Sequence, residues 1–109
     1  MNRNKADSPS KLNIGWEYRG EHTNDDLNRR FYQSKKWRLL RKKVFQKYGQ
    51  WCMCCGSLDD IEVDHIKARK FYPDLAFDFA NLQPLCKKCN AAKRTRTINY
   101  IELREVLNG

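Results

Sequence analysis

Two stretches decide the fold: Val63-Asp64-His65-Ile66, and Asn81-Leu82-Gln83-Pro84-Leu85-Cys86-Lys87-Lys88-Cys89-Asn90. The first sets an acid beside a histidine in a β-branched run. The second carries a short apolar stretch into a Cys-x-x-Cys with an asparagine directly after it. A matching pair, Cys52 and Cys55, lies upstream. Two chemistries therefore share one short segment. One is a four-thiolate metal site. The other is a set of oxygen and nitrogen donors (Asp64, His65, Asn81 and Asn90) that could hold a second metal and a base.

Two thiolate pairs at this spacing can each chelate one tetrahedral ion. The stretch between them, about thirty residues, exceeds the 15–20 of the common four-Cys pattern. That is expected if two strands and their loop are inserted between the knuckles. A structural Zn²⁺ on Cys52, Cys55, Cys86 and Cys89 is the expected occupant, with a redox dithiol and an iron centre as rivals. Cys54 would break the two-residue spacing and is left outside. Zinc-finger peptides gain roughly 10–16 kcal/mol from their metal, and a chain of 109 residues, one small domain at most, has use for such a clamp.

Around this centre the pattern changes in order. Residues 1–30 are polar and read as an extended or partly disordered arm, with 31–109 as the domain proper. In the arm, Trp16 and Tyr18 suit a short docked strand better than a base-stacking pair, and His22 reads as solvated. From Ser34, a reasonable N-cap, to Tyr48 the pattern is helical. Trp37, Leu40, Val44 and Tyr48 form one face, and Gly49 sits where such a helix ends. The other positions of this helix carry Lys35, Lys36, Arg38, Arg41, Lys42, Lys43 and Lys47 with no acid. Like charges at helical spacing repel, so a phosphate-contacting face is favoured over a merely solvated one.

Ile61 to Ile66 alternates as a strand. Residues 67–80 form a loop with a basic, aromatic start (Lys67, Arg69, Lys70, Phe71, Tyr72), and Phe77 and Phe79 look like core anchors. Leu82 to Leu85 is a second strand, which Pro84 would confine to an edge or an end. Lys87 to Lys93 suits a short helix. A final helix is suggested by Tyr100, Leu103, Val106 and Leu107 on one face.

Lys and Arg total 22 against 13 Asp and Glu, a net charge of +9 that favours a polyanionic partner, nucleic acid before an anionic membrane surface. No apolar run approaches the roughly 18 residues of a membrane span. The first residues lack the apolar segment of a signal peptide, so a cytoplasmic location is the simplest expectation. Five cysteines then argue for metal binding rather than a disulfide framework.

Strand neighbours point to opposite faces, so Asp64 and His65 alone support bland readings: a salt-linked pair, a core histidine, a strand-end acid. In context, the span from Trp51 to Arg96 with the preceding basic helix resembles the HNH endonucleases. The resemblance rests on Asp64-His65, on Asn81-Leu82-Gln83-x-Leu85-Cys86-x2-Cys89, and on Asn90 and Lys93. It implies a small α+β domain of ββα-metal, treble-clef-like type with a structural zinc, preceded by the basic helix and followed by a C-terminal one. It implies His65 as general base, Asn81 as the residue that orients it, and Asp64 and Asn90 as ligands of a single catalytic divalent cation. The third position is most often His in this family, so Asn90 makes this the HNN variant. A neutral oxygen there favours Mg²⁺ or Mn²⁺. Lys93 and Arg94 could add phosphate contacts.

The expected function is a divalent-metal-dependent endonuclease on DNA, double-stranded and nicked one strand at a time by a monomer, leaving 3′-hydroxyl and 5′-phosphate ends. Small stand-alone domains of this kind resemble those of phages and bacteria, some working beside packaging or restriction proteins, an analogy only. Two other classes stay open: a zinc-clamped nucleic-acid-binding module without activity, and an adaptor that uses the clamp to bind protein. The second predicts no salt-sensitive DNA affinity.

Overall fold

The computed structural model describes residues 24–108, so the readings for Trp16, Tyr18 and His22 lie outside the described residues. The chain divides between Ser34 and Lys35 into two units.

The described part of the first unit begins with helix α1, Asn24–Gln33, which runs across the boundary that the sequence reading sets between the arm, 1–30, and the domain, 31–109. Asp26 near its start pairs with Arg29 one turn on, and Arg30 falls in its last turn. Both charges suit the helix dipole, which local polarity alone does not reveal. The Ser34 hydroxyl donates to the Phe31 carbonyl (2.7 Å), closing the end of α1.

The second unit opens with α2, Lys35–Tyr48. Its inner face is the one the 3.6-residue period marks out. Trp37 and Val44 are buried, Leu40 and Tyr48 half-buried, and Phe45 is added to them. The helix ends at Gly49, whose amide donates to the Phe45 carbonyl (2.9 Å) at φ +87°. A side chain there would meet the Trp51 ring at 2.8 Å. The tight turn lets the Trp51 indole donate back to the Tyr48 carbonyl (2.7 Å).

Strands β1 (Ile61–His65) and β2 (Leu82–Cys86) pair antiparallel, Ile61 opposite Cys86 and His65 opposite Leu82. Pro84 sits mid-strand opposite Val63. The missing amide costs nothing, because the Pro84 carbonyl faces away from β1 and accepts from the Met53 amide (3.0 Å). Two short 3₁₀ turns, Pro73–Leu75 and Phe79–Asn81, lie in the loop between the strands. Of the two expected anchors there, Phe79 stacks on Tyr48 (6.1 Å between centroids) and Phe77 lies under the Lys36 ammonium (4.2 Å); both are half-buried.

Helix α3, Lys87–Lys93, follows β2 without a break. Arg96 caps its end, its guanidinium donating to the carbonyls of Ala92 (2.7 Å) and Lys93 (3.1 Å). Asn99 then starts α4, Tyr100–Asn108, accepting from the Glu102 amide (3.0 Å).

The core gathers Cys52, Met53, Ile61, Leu85 and Cys86, with Tyr100 and Ile101 of α4 packed on it. Here the expected face of α4 needs correction. Tyr100 docks as predicted, but its companions are Ile101 and Arg104. Arg104 donates to the Met53 carbonyl and lies over the Trp51 ring (4.6 Å). Leu103, Val106 and Leu107 are exposed. Tyr100 and Arg104 lie four apart, one above the other, and an arginine stem covers apolar surface as well as an aliphatic residue does. A hydrophobicity count cannot see that.

Candidate active site and metal centre

The four cysteines of the two knuckles converge, with Sγ atoms all within 4.8 Å of one another; Cys54 stays outside the group and is exposed. A tetrahedral ion about 2.3 Å from each sulfur sets sulfur–sulfur edges of about 3.8 Å. The Cys55 and Cys86 sulfurs already stand 3.7 Å apart. Each knuckle turns so that an amide points at a sulfur: Cys55 N to Cys52 Sγ and Cys89 N to Cys86 Sγ, both 3.4 Å. Burial pushes the Cys52 thiol up, but hydrogen bonds from the backbone of Cys55, Cys86 and Cys54 outweigh it and bring it down to about 6. Cys89 moves up, through burial first and then its neighbouring thiols. Packed thiols hold one negative charge readily and resist the next, and a bound cation removes that resistance. The cluster fits a thiophilic metal ion.

His65 closes β1 and is buried. Its Nε2 lies 3.0 Å from the Ala76 carbonyl. A carbonyl only accepts, so Nε2 carries the proton and the neutral ring keeps its lone pair on Nδ1. The ring stacks on Trp37 of α2 (5.1 Å between centroids, 19° between planes). Burial lowers its pKa below 6.5, the Ala76 bond works against that, and the charges of Arg69 and Lys93 add to it.

Asn81 holds the loop that supplies the Ala76 carbonyl. Its side chain accepts from the Lys67 amide (2.8 Å) and donates to the carbonyls of Lys67 (3.1 Å) and Leu75 (3.3 Å). The two ends of the loop are thereby fastened to each other beside the histidine.

Asp64 and His65 point to opposite faces of β1, as strand alternation requires. Asp64 is buried and faces Gln83 and Lys93. Gln83 Nε2 donates to Asp64 Oδ2 (2.9 Å), and the Lys93 ammonium stands 3.2 Å from the same oxygen. Burial raises the Asp64 pKa, with Gln83 and Lys93 pulling it back down. The expected phosphate contact by Lys93 is therefore corrected. The residue is 1% exposed, and its ammonium donates to the His65 carbonyl (3.0 Å) as well as pairing with Asp64. A short helix packed on β1 turns this position inward, whereas Arg94, one residue on at φ +58°, is exposed.

Asn90, half-buried on α3, donates through Nδ2 to Glu62 Oε1 (2.9 Å). A carboxylate only accepts, so the amide is oriented with Nδ2 toward Glu62, which leaves Oδ1 as the atom of Asn90 able to accept a hydrogen bond or ligate a cation. Glu62 and Asp64 share one face of β1, and Asn90 of α3 meets Glu62 there; oxygen ligands of this kind suit a hard divalent cation. The positive charge now beside Asp64 belongs to Lys93.

Sequence reasoning missed three contributors. Gln83 is fully buried and ties Asp64 to the start of α4, donating to the Ile98 carbonyl (2.9 Å) and accepting from the Tyr100 amide (2.8 Å). A glutamine inside an apolar strand was the available signal. Glu62, two residues before Asp64 and so on the same face, could have been found by period-2 counting. The Ala76 carbonyl leaves no sequence trace. The predicted basic residues of α2 (Lys35, Lys36, Arg38, Arg41, Lys42, Lys43) are all exposed. Trp37 fixes that helix against the histidine.

The family model for HNH endonuclease matches residues 52–96. Among solved structures, the deep-sea thermophilic bacteriophage GVE2 HNH endonuclease, crystallised with manganese ion, is similar at 30% identity. The match covers 63% of this chain and 79% of that one, with a TM-score of 0.55. No curated protein matches.

Proposed function

The chain belongs to the HNH endonuclease family, nucleases that hydrolyse phosphodiester bonds in nucleic acid, and from that premise we propose that it is a divalent-metal-dependent endonuclease of duplex DNA. The observation that carries this reading is the mounting of His65. It is a neutral ring, protonated on Nε2 by its bond to the Ala76 carbonyl and braced by Trp37, on a loop that Asn81 fastens shut.

His65 takes the proton of the attacking water on Nδ1, and its lowered pKa keeps it unprotonated at neutral pH. Asn81 is a positioning residue that acts through the loop. Asp64 and Asn90 would hold the catalytic cation, Mg²⁺ or Mn²⁺, with Glu62 orienting the Asn90 amide. When bound, that cation supplies charge relief to the phosphate and to the departing oxygen. Lys93 must yield Asp64 for this to happen. Its ammonium, 3.2 Å away, neutralises the carboxylate, so a cation held by Asp64 would have to displace that ion pair. Asp64 and His65 are the last two residues of β1, so a scissile phosphate served by both would have to sit at that strand end.

The four cysteines would hold Zn²⁺, which would clamp α3 to the start of the strand unit. The exposed lysines and arginines of α2, with Arg94, take backbone phosphates, which positions the duplex without reading its sequence. A single active site among the described residues makes a nick the elementary event.

The test is supercoiled plasmid incubated with the protein in Mg²⁺, in Mn²⁺ and after EDTA, beside His65→Ala prepared identically. Metal-dependent nicking that His65→Ala lacks is the expected result. DNA retardation without cutting by either protein would make the chain a binding module. Equal cutting by the variant would remove His65 as the base.

A further inference from the structure

The loop between β1 and β2 carries a feature that hydrolysis does not use. After Lys67 the chain makes a tight turn in which the Ala68 carbonyl accepts from the amides of Phe71 (3.0 Å) and Tyr72 (2.9 Å). Ala68 is buried, so the turn is rooted in the domain, yet at its tip Phe71 is 61% exposed and Tyr72 43%. Adjacent rings left in water forgo the burial that aromatic side chains ordinarily contribute. They are also ringed by cations: the Lys70 ammonium is 5.7 Å from the Phe71 centroid, the Lys67 ammonium 5.4 Å from that of Tyr72.

The tip is tied to the catalytic centre at both ends. Asn81 grips the backbone of Lys67 before it, and the Ala76 carbonyl after it accepts from His65. The chain from residue 71 to residue 76 spans at most about 18 Å. That is about five base steps of duplex at roughly 3.4 Å each.

Lysines alone suffice to hold phosphate. Exposed rings among them add the other half of nucleic-acid recognition, since a ring offers a base a face to stack on. In a fully paired duplex the base faces are covered, and a ring reaches one only by prising a step apart. That cost is least where a base is already mismatched or unpaired. Resting on the reading of the chain as a DNA nuclease, we infer that Phe71, seconded by Tyr72, is a base-stacking wedge that directs the enzyme to duplex DNA with an unstacked base near the cut.

The experiment measures binding without added divalent cation to a duplex that presents 2-aminopurine at a one-nucleotide gap, and to the same duplex fully paired. The wild type should bind the gapped duplex about tenfold more tightly, within the range base–aromatic stacking supplies, and quench the 2-aminopurine fluorescence. Phe71→Ala should lose both effects and Phe71→Trp should recover them. Phe71→Leu, apolar but without a π face, should recover neither. Thermal melting of each variant confirms that the fold is intact.

Equal binding of the two duplexes by wild type overturns the wedge, as does a gap preference that survives in Phe71→Ala. A loss of the same size on both duplexes overturns it too, pointing to a general phosphate or protein-docking role. Plasmid nicking by wild type, run in parallel, separates the two readings. Nicking without gap preference refutes the wedge alone, whereas gap-dependent quenching without nicking supports the wedge and refutes the nuclease.

Discussion

Lys93→Met removes an ammonium from the interior while keeping most of the side chain's length. In the wild type that charge is 1% exposed and 3.2 Å from Asp64 Oδ2. At an effective dielectric of about 20 the attraction is about 5 kcal/mol. Removing one member of a buried pair costs about 3–5 kcal/mol, because the other charge is left without compensation. Urea unfolding of the metal-loaded protein should therefore shift its midpoint down by more than about 1 M, taking a slope of about 1–3 kcal/mol/M.

The loss should depend on pH in a definite sense. Burial already raises the Asp64 pKa above 3.8, and Lys93 is among the influences that hold it down. Without Lys93 it rises further. Between 3.8 and that raised value the native state of the variant keeps a proton that the unfolded chain has released. Its stability therefore falls as pH rises through the window. The gap between wild type and variant should be widest near neutrality and narrow as pH falls through that window. Adding Asp64→Asn to Lys93→Met should recover most of the loss. A deficit below about 1 kcal/mol, a gap indifferent to pH, or no rescue by Asp64→Asn would refute the buried pair as described.

Gln83→Leu strands the Ile98 carbonyl and the Tyr100 amide together with one Asp64 oxygen; a cost of about 3 kcal/mol is expected, with faster hydrogen exchange at Tyr100 reporting the loosened start of α4. The acid limb of the cleavage rate should fall below pH 6.5, because burial lowers the His65 pKa. The same shift makes the unfolded chain bind more protons between the folded value and 6.5, so His65 contributes stability that is lost as pH falls through that window; a limb above 6.5 in a pH–rate series would contradict the burial. Cys86→Ser should abolish stoichiometric zinc, measured by elemental analysis, and with it cooperative unfolding. Cys54→Ser should leave the zinc content unchanged, since its sulfur lies outside the cluster.

Much of this was legible beforehand because it depends on short-range geometry. The Cys-x-x-Cys spacing dictates a knuckle whatever surrounds it, and Gly49 ends α2 because a left-handed residue is needed there. The order of strand, loop, strand and helix follows from local periodicity. So does the placing of Asp64 and His65 on opposite faces of β1.

The tertiary structure decided the rest. Charge alone marks Lys93 as a phosphate ligand, but the packing of α3 on β1 turns it inward to Asp64. Hydrophobicity points to the leucines and the valine as the docking side of α4, whereas Arg104 with its carbonyl partner and Trp51 takes that place. The tautomer of His65 depends on a backbone carbonyl of Ala76, which every residue possesses. Sequence specifies what a side chain can donate, accept or bury. Which partner it meets is fixed only when segments far apart in the chain come together, because hydrogen bonds and ion pairs act over a few ångströms and not along the sequence.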